Sequence, residues 1–122
     1  MFNKLIIAAE HPYLVRKLLK PAKEIMAEND QHKAHLTHMA LGIAGEAGEL
    51  VDAIKKYAIY NQKLDVQNVK EELGDLLFYM QGILQYLECD LADIAYNNTM
   101  KLQKRYPNRR FTNEDAKLRR DK

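Results

Sequence analysis

Glu46 and Glu49 stand one helical turn apart in GIAGEAGEL (residues 42–50), and Glu72 and Asp75 repeat that spacing in EELGD (residues 71–75). At roughly 100° per residue, an i, i+3 pair shares one side of a helix. Like charges on adjacent turns oppose helix formation, and Gly42, Gly45 and Gly48 each cost about 0.5–1 kcal/mol relative to alanine. A bound cation would offset both. Four carboxylates facing one groove select a hard, oxygen-liganded ion, Mg²⁺, Mn²⁺ or Ca²⁺, over zinc or copper. Mg²⁺ keeps several waters and binds substrate phosphates, so the pattern points to phosphate chemistry. An isolated acidic pair is usually a solvated helix face. Two pairs on neighbouring helices, each beside an apolar stripe and one among glycines, favour metal.

Cations lie further along. Asn98, Lys101 and Arg105 are spaced i, i+3, i+7 and share a helix face; Lys104, Arg109 and Arg110 follow, with Tyr106 and Phe111 among them. A basic helix end can do no more than complement the helix dipole. Beside a metal–carboxylate groove, the same face suits a triphosphate. His32, His35 and His38 form a row ahead of the first acidic pair, and His38 falls near the face of Gly42 and Glu46. No cysteine or acid completes a transition-metal set there. A di-iron bundle needs Glu-x-x-His on two helices, and the sequence has none.

These residues must be positioned by helices. Leu36, Ala40, Ile43, Ala47, Leu50, Ile54 and Ala58 recur in steps of three and four, the mark of an amphipathic helix. Val66, Val69, Leu73, Leu76, Leu77, Met80, Ile83, Leu84 and Leu87 form a second stripe, with Asp65 as its expected N-cap. A third helix is expected after Asp90, ending near Pro107. Pro12 is expected to open a helix through Leu14, Leu18, Ile25 and Met26, which Pro21 kinks or splits. The charged residues 112–122 read as a loose tail. No hairpin signal or β-rich alternation appears. The expectation is an all-α, antiparallel bundle of four or five helices, in one domain over residues 1–122.

The whole-chain numbers fit that frame. There are 122 residues, 47% of them hydrophobic, which suits one domain with a small core and too much apolar surface for disorder. Leftover apolar surface would be covered by oligomerisation. Net charge is +2 from 19 basic and 17 acidic residues, and no nucleic-acid motif occurs, so nucleic acid is an unfavoured partner. A single cysteine, Cys89, permits no internal disulfide, and the five apolar residues of LIIAA are too few for a signal core or a span. A soluble cytoplasmic protein is the expectation.

The order EAGE, 22 residues, ELGD, and then NTMKLQKRYP resembles the signature of the MazG-like nucleoside triphosphate pyrophosphohydrolases, E-x-x-E…E-x-x-D followed by N-x-x-K-L-x-x-R-Y-P. The likeness covers residues 36 to 111. It implies a homodimer or dimer of dimers that hydrolyses a nucleoside triphosphate between the α- and β-phosphates, with Mg²⁺ (or Mn²⁺ in its place) on Glu46, Glu49, Glu72 and Asp75. It implies substrate contacts from Asn98, Lys101 and Arg105. Tyr106 is a candidate stacking residue and His38 a candidate pocket residue. Glu49, ahead of Glu46, is the expected residue to position or deprotonate the attacking water. The two extra arginines of RYPNRRF depart from the short glycine-containing turn of many relatives, and residues 1 to 30 lie outside the signature. Three alternatives stay open: a dUTP/dCTP hydrolase, a phosphoribosyl-ATP pyrophosphohydrolase, and a non-catalytic helical module that binds a nucleotide or partner.

Overall fold

A computed structural model describes residues 3–122, and its described residues form six helices and no strand. The fold is all-α. Contacts group the chain into two compact units, one ending at His35 and the other spanning Leu36–Lys122.

The first unit holds α1 (Lys4–Leu18), α2 (Ala22–Glu28) and the first turn of α3 (Gln31–Ala58). Pro12 does not open α1 as expected. The helix begins two turns earlier, where the Asn3 side chain accepts from Leu5 N–H, and Pro12 sits inside it. That cap, followed by a run of Leu, Ile and Ala, starts the helix before the proline is reached. Pro21 splits rather than kinks: α1 stops at Leu18 and Pro21 is the N-cap of α2. No described residue of α1 or α2 is buried.

The second unit carries the rest of α3, α4 (Val66–Tyr86), α5 (Leu91–Arg105) and α6 (Asn113–Leu118). Asp65 caps α4 by accepting from Asn68 N–H at 3.0 Å, as its position predicts. Asp90 and Asp93 form a reciprocal capping box at the start of α5, which ends at Arg105 as Pro107 approaches. The stretch read as a loose tail contains α6, capped by Thr112, and is tied down by ion pairs.

α3 and α4 pack antiparallel. Gly42 lies under the Tyr79 ring, Met39 sulfur fills the space above Gly82, and Glu46 meets Glu72 and Asp75. Each step up α3 is matched by a step down α4. Gly42 and Gly82 are the glycines this packing demands, since a Cβ at either would sit 2.3 Å from the facing side chain. Gly45, Gly48 and Gly74 face open space.

The core is small: among the described residues, Met39, Ala53 and Leu84 are the buried apolar ones. The stripe expected to form the interior of α3 is at most half-buried, and Ile54 is exposed. Leu73, Leu77 and Met80 of the α4 stripe are exposed too. The seam between the helices runs through residues 39, 42, 46 and 53 of α3. Glu46 and Glu72 therefore stand in the seam itself, while Glu49 and Asp75 stay exposed at its edge, where the sequence pattern had placed all four.

Candidate active site

The seam brings three acids together. Glu46, Glu72 and Asp75 each offer a carboxylate oxygen, and all of these lie within 4.8 Å of one another. Glu46 comes from α3 and the other two from α4, so antiparallel pairing at this register assembles the set. Glu72 is its centre, only 8% exposed, and its Oε2 is buried without a hydrogen-bond partner. A buried carboxylate oxygen left unpaired is costly. Burial pushes the Glu72 carboxyl above the usual range, followed by the charge of Glu49, a hydrogen bond with Glu46, and the charges of Glu46 and Asp75. The other three acids singled out by spacing thus all act on Glu72.

Glu49 takes a different place from the other three. It lies outside the converging oxygens and lines an adjoining open groove of about 490 Å³ with Gly45, Gly48, Asp52, Lys56, Asn68 and Glu72. Glu72 belongs to both the triad and the groove wall. The donor set fits a divalent cation of the Mg²⁺ or Mn²⁺ kind: all its atoms are carboxylate oxygens, and the orphaned Glu72 Oε2 offers a lone pair without a proton donor.

Sequence reasoning missed Asp52, Lys56 and Asn68 as groove residues. The signal was present in the helical spacing, because Asp52 and Lys56 continue the Glu49 face at i+3 and i+7, and Asn68 precedes Glu72 by four. Asp52 holds Lys56 at 2.7 Å and Lys55 at 3.3 Å. Its hydrogen bond to Lys56 is the largest cause lowering its carboxyl, and the same bond raises the Lys56 ammonium.

His38 is exposed on α3, and its ring meets Tyr79 edge-on at 6.1 Å, one turn from Gly42. Asn98 and Lys101 are exposed on α5, and no described hydrogen bond or ion pair joins them to the acids. Tyr106 lines a separate hollow of about 420 Å³ with Leu102, Arg109, Arg110 and Phe111. Arg105 is committed elsewhere. Its Nε and Nη2 donate to the two oxygens of Asp121 at 2.8 and 2.7 Å, and that carboxylate is only 2% exposed. Asp121 thereby takes two of the five N–H groups of the expected substrate arginine.

The family model for the MazG nucleotide pyrophosphohydrolase domain matches residues 34–110. The chain belongs to the MazG family. The match contains both acidic pairs, the groove residues and the basic end of α5. The MazG chain is also 30% identical over 74 residues to Gene 37 protein of Mycobacterium phage L5, covering 57% of this chain and 65% of the phage protein. It thus spans just under two thirds of that relative's length. No solved structure matches it with significance. Among the described residues, no helix is long and apolar enough to cross a membrane.

Proposed function

We propose that this MazG domain is a Mg²⁺-dependent pyrophosphohydrolase that cleaves nucleoside triphosphates, ribo- or deoxy-, between the α- and β-phosphates in nucleotide-pool housekeeping. The observation that carries the reading is Glu72: a buried carboxylate with an unpaired oxygen, inside a converging triad and beside an open groove.

Glu46, Glu72 and Asp75 would hold the cation, with Glu49 at the groove wall. When bound, the ion supplies positive charge against the phosphate oxygens and acidifies the attacking water. The chain's own groups do the rest. Glu49, outside the triad, accepts the water's proton as the water oxygen bonds to the α-phosphorus. The bond from that phosphorus to the bridging oxygen breaks, and pyrophosphate leaves with the bonding electrons. Glu46 shares the crowded triad and acts with Glu49 in fixing the water. No covalent intermediate is required.

Family resemblance supports Asn98 and Lys101 as further substrate contacts, and their exposure suits that role. His38 and Tyr106 keep the roles of pocket and stacking residue in this reading. Arg105 enters with fewer donors, because Asp121 takes two of its five N–H groups. The extensive exposed apolar surface, including Leu41 at 67%, Val51 at 64% and Phe78 at 67%, supports assembly as a homodimer or dimer of dimers.

The test is a Mg²⁺-dependent screen over natural and modified nucleoside triphosphates, with products separated by anion exchange. Monophosphate plus pyrophosphate, lost on chelation and in Glu49→Gln, is the expected result. Strict preference for dUTP, dCTP or phosphoribosyl-ATP would narrow the substrate. Nucleotide binding with no turnover by folded, metal-loaded protein would overturn hydrolysis in favour of a binding module. Lys101→Ala is expected to raise KM, and an unchanged KM and kcat would remove Lys101 from the pocket.

A further inference from the structure

The groove beside the triad is larger than a hydrated ion requires, and its far end is chemically different. The acidic end is Glu49 and Glu72; the other end is Asp52, Lys56 and Asn68. Lys56 is the single cation among its lining residues. Gly45 and Gly48 line the same hollow, and a Cβ at either would meet nothing within 4 Å. Their missing side chains widen the groove instead of letting protein close upon it.

Helix geometry sets the register of this end. A helical side chain leans toward the N-terminus, and Lys56 does so, reaching back one turn to Asp52 at 2.7 Å. Its ammonium is therefore level with Asp52, three residues and roughly 4.5 Å along the axis from Glu49. That separation matches the step between adjacent phosphates of a polyphosphate chain more closely than the distance to a base. Asn68 on α4 faces the same hollow and adds an amide that can donate to a phosphate oxygen.

We propose that Lys56, with Asn68 across the groove, forms a pyrophosphate subsite that binds the departing β- and γ-phosphates, and that Asp52 holds the ammonium in place until the anion takes it over. This rests on the hydrolase reading for its role in turnover, although anion binding itself does not. The exchange is one of ion-pair partners: Lys56 leaves a carboxylate for a phosphate oxygen, and no bond is made or broken. After cleavage the subsite holds the leaving group, so pyrophosphate acts as a product inhibitor competing with the triphosphate.

The experiment titrates inorganic pyrophosphate into the full chain calorimetrically at saturating Mg²⁺, for the wild type, Lys56→Ala, Lys56→Arg and Asp52→Asn. Loss of one charge-assisted contact is expected to weaken pyrophosphate about tenfold in Lys56→Ala, with the arginine variant restoring most of it. Asp52→Asn is expected to tighten binding, or leave it unchanged, because it removes the competing acid. A merely structural ion pair would make the two single variants lose affinity together, and that result overturns the subsite. So does wild-type affinity in Lys56→Ala, or a wild type that does not bind pyrophosphate. Parallel kinetics with a triphosphate separate the two readings. Normal turnover with unchanged pyrophosphate affinity in Lys56→Ala rejects the subsite alone; absent wild-type turnover with weakened binding in that variant rejects the hydrolase alone.

Discussion

Glu72 and Asp121 are both buried carboxylates in the same unit, and their surroundings push them in opposite directions. Asp121 accepts two hydrogen bonds from Arg105 and a longer one from Arg119, and the Arg105 bond is the main cause holding its carboxyl below the usual range. Asp115, in α6, is treated likewise by Arg120 and Thr112. Glu72 has three acids around it and a free oxygen, and burial raises its carboxyl. Burial with a partner makes a clamp, and burial among like charges makes a receptor for a cation. The chain has thus satisfied its charges where they fasten the end of α5 to the tail and left them unsatisfied where α3 meets α4.

The contrast breaks most visibly at the receptor. Glu72→Gln is expected to lower turnover by at least about a hundredfold, since it removes the central ligand of the charge-stabilising site. The same change is expected to raise the melting temperature of metal-free protein, because a neutral amide replaces a buried, repelled carboxylate. A fall in both would mean that Glu72 is a structural residue. Glu49→Gln is expected to lower kcat by about 10²–10⁴ while leaving Mg²⁺ affinity close to wild type, because Glu49 lies outside the triad. Equal loss of Mg²⁺ binding in the two variants would make Glu49 a ligand.

The pH dependence sharpens the comparison. The Glu72 carboxyl is raised on folding, so the native state holds its proton to higher pH than the unfolded chain does. Metal-free protein is therefore expected to lose that stability as pH rises from the ordinary glutamate range through the raised value, and saturating Mg²⁺ should suppress the loss. Asp121 is lowered, so its contribution is present above the ordinary aspartate range and is lost as pH falls through the folded value. Thermal melts from pH 1 to 8, with Glu72→Gln and Asp121→Asn as controls, assign each limb.

Smaller effects belong to the clamp. Asp121→Asn is expected to speed amide hydrogen exchange in α6 and at the end of α5, with little change at the α3/α4 seam; uniform loss of protection would show that the clamp supports the whole unit. Asp90→Ala supplies an exposed reference, where a carboxylate serves only the backbone of α5. It is expected to cost about 1 kcal/mol in chemical unfolding, the ordinary worth of an N-cap.

The site was legible because its chemistry is written at helical spacing. Glu46, Glu49, Glu72 and Asp75 needed no structure to be singled out, and Asp65 was readable as a cap and Asp90 as the residue ahead of a helix because helix starts depend on a few consecutive residues. Pro12 misled because a local signal competed with Asn3, which starts α1 earlier. Asp52, Lys56 and Asn68 were harder: spacing placed the first two on the Glu49 face, yet only the register of α4 shows that the face opens into a groove. Arg105 was ambiguous for the same reason, since an arginine at a helix end reads alike whether it awaits a phosphate or is matched to an acid sixteen residues on.

By itself the sequence determined that α3, α4 and α5 are helices, where α4 and α5 begin, and which residues carry the acids, because each depends on contacts within a few residues. Tertiary structure decided that Glu46 and Glu72 stand in the seam, that Glu72 is the buried acid with an unpaired oxygen, that Glu49 stands apart from the triad, and that Arg105 is tied to Asp121. Those outcomes follow from how helices pair and from charges far apart in sequence, and no local spacing encodes them.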